Sequence, residues 1–191
     1  GSDGRVGGPV RQRHRCVVAH DCDLQGGLQQ VGLGSERRIH GFDGNRGGRA
    51  AIDRAAYPDL EEFFADLARV YREEIADLAA RGCRYLQLDD TNLAYLCDPR
   101  MREGAKQRGD DPDELPRRYA RLINAAIEGK PADMTVGVHL CRGNFQSAWA
   151  AEGGYEPVAE VLFNELQVDA YFLEYDDARS GDFAPLRFVP K

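Results

Sequence analysis

Met134-Thr135-Val136-Gly137-Val138-His139-Leu140-Cys141 is a run in which apolar side chains alternate with small or polar ones. A β-strand turns successive side chains to opposite faces, so the run reads as a strand with Val136, Val138 and Leu140 on one face. His139 and Cys141 then share the other face, with the small Thr135 and Gly137 below them. The next strand reads from Val168 to Tyr175 and carries Glu174 near its end. An imidazole, a thiolate and a carboxylate are all side chains that zinc accepts. Three protein ligands leave a fourth position open, as at zinc centres that do chemistry rather than only hold a fold.

Working outward from that strand, the same periodicities recur. Pro58-Asp59-Leu60-Glu61-Glu62 reads as a helix start, with Asp59 as N-cap and Glu62 as its capping-box partner. Leu60, Phe63, Phe64, Leu67, Val70, Tyr71, Ile75 and Leu78 follow at helical spacing, and Gly82 marks the C-cap. Cys83 to Asp89 reads as a strand with Tyr85, Gln87 and Asp89 on one face. A second helix is expected from about Pro112 to Glu128, stopped by Gly129-Lys130-Pro131, and a third from near Pro157. Helices alternating with strands imply repeated βα units and a parallel sheet.

In each strand the polar, ligand-type residues gather at the C-terminal end: Asp89, then His139 with Cys141, then Glu174. That is the end at which (β/α)8 barrels carry their active sites. Eight such units need roughly 250 residues, and only residues 49–191 are patterned. The expected fold is therefore α/β, a partial (β/α)8 TIM-type barrel over residues 49–191. Residues 1–48 are expected to be irregular: they hold 12 of the 21 glycines, seven Arg, no Lys and one aromatic, Phe42. A shifted reading frame in GC-rich DNA would also give such a composition.

Composition excludes several classes of function. At 191 residues with 42% hydrophobic and 30% charged residues, the chain reads as a globular protein with a real core. A net charge of -7 argues against nucleic acid or an anionic membrane as partner. No apolar run is long enough to span a bilayer, and the N-terminus has no secretory pattern. Five cysteines at irregular spacing (16, 22, 83, 97 and 141) suggest reduced thiols and a cytoplasmic location rather than a disulfide framework. Cys83 and Cys97 read as small core or loop residues. Cys16 and Cys22 with His14 and His20 do not follow a zinc spacing.

Each candidate also has a bland reading. His139 could bond a buried backbone group, Cys141 could pack as a small hydrophobe, and Glu174 could pair with an arginine. Periodicity leaves the metal centre and this alternative both open. Asp89-Asp90 could hold a substrate ammonium or could only cap a turn. Arg142-Gly143-Asn144 could offer a guanidinium to a carboxylate or could be a tight turn. Trp149, the only tryptophan, could wall a pocket or pack in the core or at a rim.

Three ordered motifs narrow the choice. Tyr85-Leu86-Gln87-Leu88-Asp89-Asp90-Thr91-Asn92-Leu93, Val138-His139-Leu140-Cys141-Arg142-Gly143-Asn144 and Phe172-Leu173-Glu174-Tyr175-Asp176-Asp177 together resemble the catalytic domain of cobalamin-independent methionine synthase. The closer likeness is to the family's short single-domain relatives, over about Arg46 to Lys191. The resemblance implies a zinc-binding (β/α)8 barrel that moves a methyl group from 5-methyltetrahydropteroyltriglutamate to the sulfur of homocysteine. It implies His139, Cys141 and Glu174 as zinc ligands, and Asp89 as the carboxylate that meets the amino group of homocysteine or methionine. It assigns no catalytic residue beyond these. The family's fourth ligand, a later cysteine, and its proton-donating histidine would fall beyond Lys191, which implies a truncated chain. Residues 1–48 match none of the family's first strands.

The competing expectations are an inactive fragment that self-associates through open sheet edges, and a zinc-free barrel of the uroporphyrinogen decarboxylase type. The His-x-Cys pair argues against the second, since that chemistry has no use for a thiolate ligand.

Overall fold

The structure, a computed structural model, describes residues 16–20, 55–90, 92–145, 148–175 and 177–191, with the backbone alone at 16–20, 144–145 and 148. Strand β1 is Cys16–His20 and helix α1 is Leu60–Ala80. Strand β2 (Tyr85–Asp89) is followed by helices α2 (Asn92–Tyr95), α3 (Pro99–Gln107) and α4 (Leu115–Ile127). Strand β3 is Thr135–Leu140. A two-stranded hairpin, β4 (Asn144–Phe145) with β5 (Ala148–Trp149), then leads to helix α5 (Glu156–Asn164) and strand β6 (Ala170–Glu174). Two 3₁₀ turns, Ala178–Ser180 and Ala184–Phe188, close the described chain.

Four strands form one parallel sheet in the order β1-β6-β3-β2. Strands β2, β3 and β6 are sequential neighbours joined through helices, which is the βαβ pattern expected of the chain. A closed barrel is not seen among the described residues. Val136, Val138 and Leu140 of β3, Leu86 of β2, and Tyr171 and Leu173 of β6 are buried in one core. Ile75 and Ala79 of α1, Ala120 and Ile127 of α4, and Val158, Leu162 and Phe163 of α5 complete it. The helices thus supply the core on one face of the sheet. The opposite face carries Tyr85, Gln87, Asp89, Thr135, Gly137, His139, Phe172 and Glu174, as the period-2 alternation requires.

Local chemistry sets the element ends. Asp59 caps α1 by accepting from the Glu61 amide (2.9 Å), and Gly82 takes the left-handed conformation (φ 95°) just past the helix. Helix α4 starts three residues after the expected Pro112. The chain between β2 and α4 is more structured than the expected loop. Asp98, fully buried, accepts from the Arg100 amide (2.7 Å), and Pro99 opens α3 at the position where a missing N–H costs nothing.

The expectation of irregular structure over residues 1–48 needs one correction. Cys16–His20 runs as a strand beside β6, from Cys16 opposite Ala170 to His20 opposite Glu174. The adjacent β-branched Val17 and Val18 suit an extended backbone. The rest of that expectation, with His14 and Cys22, lies outside the described residues.

Candidate active site

Register determines which side chains meet. Asp89 of β2 lies opposite His139 of β3, and Leu140 of β3 lies opposite Leu173 of β6. One residue further along each strand, Cys141 follows Leu140 and Glu174 follows Leu173. Asp89, His139 and Glu174 therefore share one sheet face and one end of the sheet, and the alternation of the chain sends Cys141 to the same side. The alternative in which these groups part to opposite faces is not what the fold gives.

Asp89 and His139 are joined directly, with Asp89 Oδ1 3.2 Å from His139 Nδ1. The imidazole next to it holds the Asp89 carboxyl below its ordinary range, outweighing partial burial, and the Gln87 amide adds a second bond at 3.1 Å. An ionised carboxylate at that distance makes Nδ1 the donor nitrogen and orients the ring through it. His139 is largely enclosed (side chain 15% exposed), whereas Asp89 is half open to solvent (50%).

Cys141 is half-buried and not in a disulfide. Burial pushes its thiol up, the Gly143 amide opposes this, and the carboxylates of Glu174 and Asp89 push it further up. A thiol near two carboxylates has a use for a cation, because an anion there is otherwise disfavoured.

Glu174 is completely buried and held on both oxygens. Its Oε1 accepts from Arg179 Nε (2.7 Å) and Nη2 (2.5 Å) and from Ser180 Oγ (3.4 Å), while Oε2 accepts from the Arg142 amide (2.8 Å). The arginine pairing of the bland reading is thus present, together with the common face that the metal reading requires. Among the described residues no three His, Cys, Asp or Glu side chains lie close enough, as placed, to enclose a cation. The donor set nonetheless suits zinc: a thiol, a buried carboxylate, and an imidazole oriented through Nδ1 by a carboxylate, as metal-binding histidines commonly are.

Three further residues shape the strand ends, and of these Trp149 takes the rim position that its sequence reading allowed. Arg142 presents nothing to a substrate carboxylate. It is fully buried, donates through Nε (2.9 Å) and Nη2 (2.7 Å) to the Gly153 carbonyl, and lies 3.8 Å over the Tyr155 ring. Trp149 is exposed (57%) with the Arg179 guanidinium 5.2 Å from its ring centre, a rim position. Tyr155 was not singled out by any periodicity. Its hydroxyl donates to the Leu140 carbonyl (2.7 Å) and accepts from the Glu174 amide (2.9 Å), joining the ends of β3 and β6. Cys97 matches its core reading: burial lifts its thiol to about 11.

Asp90 is a buried cap, not a partner of Asp89. Its Oδ1 accepts from the Asn92 (2.7 Å) and Leu93 (3.0 Å) amides at the start of α2. Burial raises its carboxyl, and those two amides offset this only in part. A carboxyl raised in the folded state binds its proton more tightly there than when unfolded. Stability therefore falls as pH climbs from the ordinary value of about 3.9 through the raised one. Asp90→Asn keeps the acceptor without the charge and is expected to flatten that part of the pH–stability curve. Asp90→Ala loses the cap and is expected to cost about 1–2 kcal/mol. Urea unfolding at a series of pH values tests both, and an unaltered slope in the Asn variant would count against the assignment.

A parallel α/β sheet whose carboxyl-terminal edge collects an imidazole, a thiol and carboxylates belongs to a recognisable class of enzyme-like domains. No family model matches the chain. Two Bacillus subtilis proteins whose names state no activity, YxjH and YxjG, are 48% and 46% identical to it over 139 and 144 residues. These stretches cover 73% and 75% of this chain but only 37% and 38% of the relatives. The methionine synthase of Pyrococcus abyssi is 34% identical over 126 residues, 66% of this chain and 29% of that protein. A solved structure from Listeria monocytogenes, described as a candidate vitamin-B12 independent methionine synthase, is 45% identical with a TM-score of 0.54. The match covers 70% of this chain and 36% of that one. The chain is a relative of the cobalamin-independent methionine synthase family. It spans little more than a third of the length of the two Bacillus subtilis relatives.

Proposed function

We propose that this chain is the metal- and amino-acid-binding part of a cobalamin-independent S-methyltransferase of the methionine synthase type. His139, Cys141 and Glu174 would hold zinc. A homocysteine-like thiol would be the acceptor, and a methyltetrahydrofolate-like compound the methyl donor. The observation that carries this reading is the shared face and shared end of Asp89, His139 and Glu174, with Cys141 one residue past β3, in a chain related to proteins named methionine synthase.

Zinc, when bound, would supply thiolate character to a substrate sulfur at neutral pH. The remaining roles belong to the chain. Asp89 orients the His139 ring through Nδ1, and its half-exposed carboxylate is open to a substrate ammonium. Glu174 brings negative charge to an enclosed place, and Cys141 brings a sulfur whose ionisation a cation would favour. A sheet with its core helices on one face and small or polar side chains on the other is how an arc of a (β/α)8 barrel is built. That supports a barrel for the whole protein.

After equilibration with zinc and desalting, wild-type protein is expected to retain about one ion per chain. Cys141→Ser and His139→Ala are expected to lose most of it, as read by elemental analysis. Full zinc retention in the Cys141→Ser variant would refute the ligand set. Negligible zinc in every sample would overturn the metal reading and leave Glu174 as the buried partner of Arg179.

A further inference from the structure

The geometry points to Arg179 as a positioning residue for Glu174, one that fixes one carboxylate oxygen and so turns the other toward the strand end carrying Cys141. The inference rests on the metal reading above and concerns how the carboxylate is aimed.

The two oxygens of Glu174 have different surroundings. Arg179 takes Oε1 with two nitrogens of its fork, Nε at 2.7 Å and Nη2 at 2.5 Å, and the Ser180 hydroxyl is 3.4 Å from the same atom. Oε2 faces the Arg142 amide at 2.8 Å, the peptide N–H immediately after Cys141. Arg179 on Oε1 and the Arg142 amide on Oε2 together fix the plane of the carboxylate as well as its place. Oε2 is thereby held toward the Cys141 peptide.

Arg179 is itself immobilised from three directions. The Asp177 side chain accepts from its backbone N–H (2.9 Å) and starts the 3₁₀ turn that presents it. Its carbonyl accepts from the Gly153 amide (2.6 Å) in the loop after the hairpin. Its guanidinium lies beside the Trp149 ring. Only 3% of the side chain is exposed. Burying such a pair is a poor route to stability, because apolar residues of similar volume do as well or better. A pair of this kind is better suited to fixing an orientation, and supporting contacts to metal ligands commonly contribute 10–100-fold in metal affinity.

The test is zinc affinity by chelator competition in Arg179→Gln and Arg179→Lys, each alone and combined with Glu174→Gln. Each sample is first shown to unfold cooperatively. Arg179→Gln is expected to weaken zinc binding by about 10–100-fold, and Arg179→Lys, which keeps the charge without the fork, by less. In the Glu174→Gln background neither change is expected to weaken zinc further, because Arg179 acts only through that carboxylate. Wild-type affinity in Arg179→Gln, or an undiminished effect in the Glu174→Gln background, overturns the inference and leaves the metal reading intact. Absence of zinc from wild-type protein overturns both. If Arg179→Gln does not fold, Arg179→Lys decides: wild-type affinity there also overturns the positioning role.

Discussion

Glu174→Leu is expected to destabilise the protein by about 3–5 kcal/mol, the range for breaking a buried ion pair from one side. Leucine fills much of the space, so the loss is not mainly one of packing. What remains is an Arg179 guanidinium with 3% exposure that has lost its close carboxylate and keeps only Asp177 Oδ1, 3.8 Å from Nε. The Arg142 amide also loses its acceptor. A buried cation left with one distant, part-exposed acid costs more than the pair contributed. Glu174→Leu combined with Arg179→Met should therefore recover a large part of the loss, since neither charge is then present. Urea unfolding of the two single variants and the double variant at neutral pH measures this. A loss below about 1 kcal/mol in Glu174→Leu would mean that the pair is solvated and that the enclosed character of the site is wrong.

Gly153→Ala is expected to be nearly as damaging, for a steric reason. Gly153 sits at φ 120°, where L side chains are rarely found, and an added Cβ would lie 2.2 Å from the Cys97 carbonyl oxygen. The obstructing atoms are backbone, so no side chain can turn away to relieve the contact. Strain and overpacking together are expected to cost about 4 kcal/mol. Gly153 also accepts both bonds from Arg142 and donates to the Arg179 carbonyl, so its displacement should disturb both arginines. Gly129→Ala is the control. Gly129 also has positive φ (80°), but an added Cβ meets nothing within 4 Å, and only about 1 kcal/mol should be lost. Equal unfolding midpoints for the two variants would rule out the close approach to Cys97.

The elements that the sequence disclosed are those whose burial repeats along the chain. Helix α1 shows an apolar stripe of five turns and an Asp59 cap, and β3 shows strict alternation, so both were readable to within a residue or two. The one-sided placement of Asp89, His139 and Glu174 followed from the same alternation. Helices α2 and α3 are too short to show a periodicity, α2 being a four-residue turn with Leu93 and Ala94 buried and α3 burying only Ala105, and Asp98-Pro99 is the local signal for α3. The interior position of Arg142 is not legible in the sequence because it depends on the Tyr155 ring and the Gly153 carbonyl, which lie 11 to 13 residues further on and meet it only after folding. The Arg179 partner of Glu174 was open to sequence reading only as an unspecified arginine.

Tyr155 gives the site a mechanical character of its own. The ladder between β3 and β6 ends at Leu140 and Leu173, and past that point two strands would normally begin to splay. A single phenol oxygen, giving a proton to one strand and taking one from the other, stands in for the missing rung. Sulfur and carboxylate thus sit on a brace of fixed width, and any adjustment to an incoming group must come from side-chain torsions while the two backbones stay still.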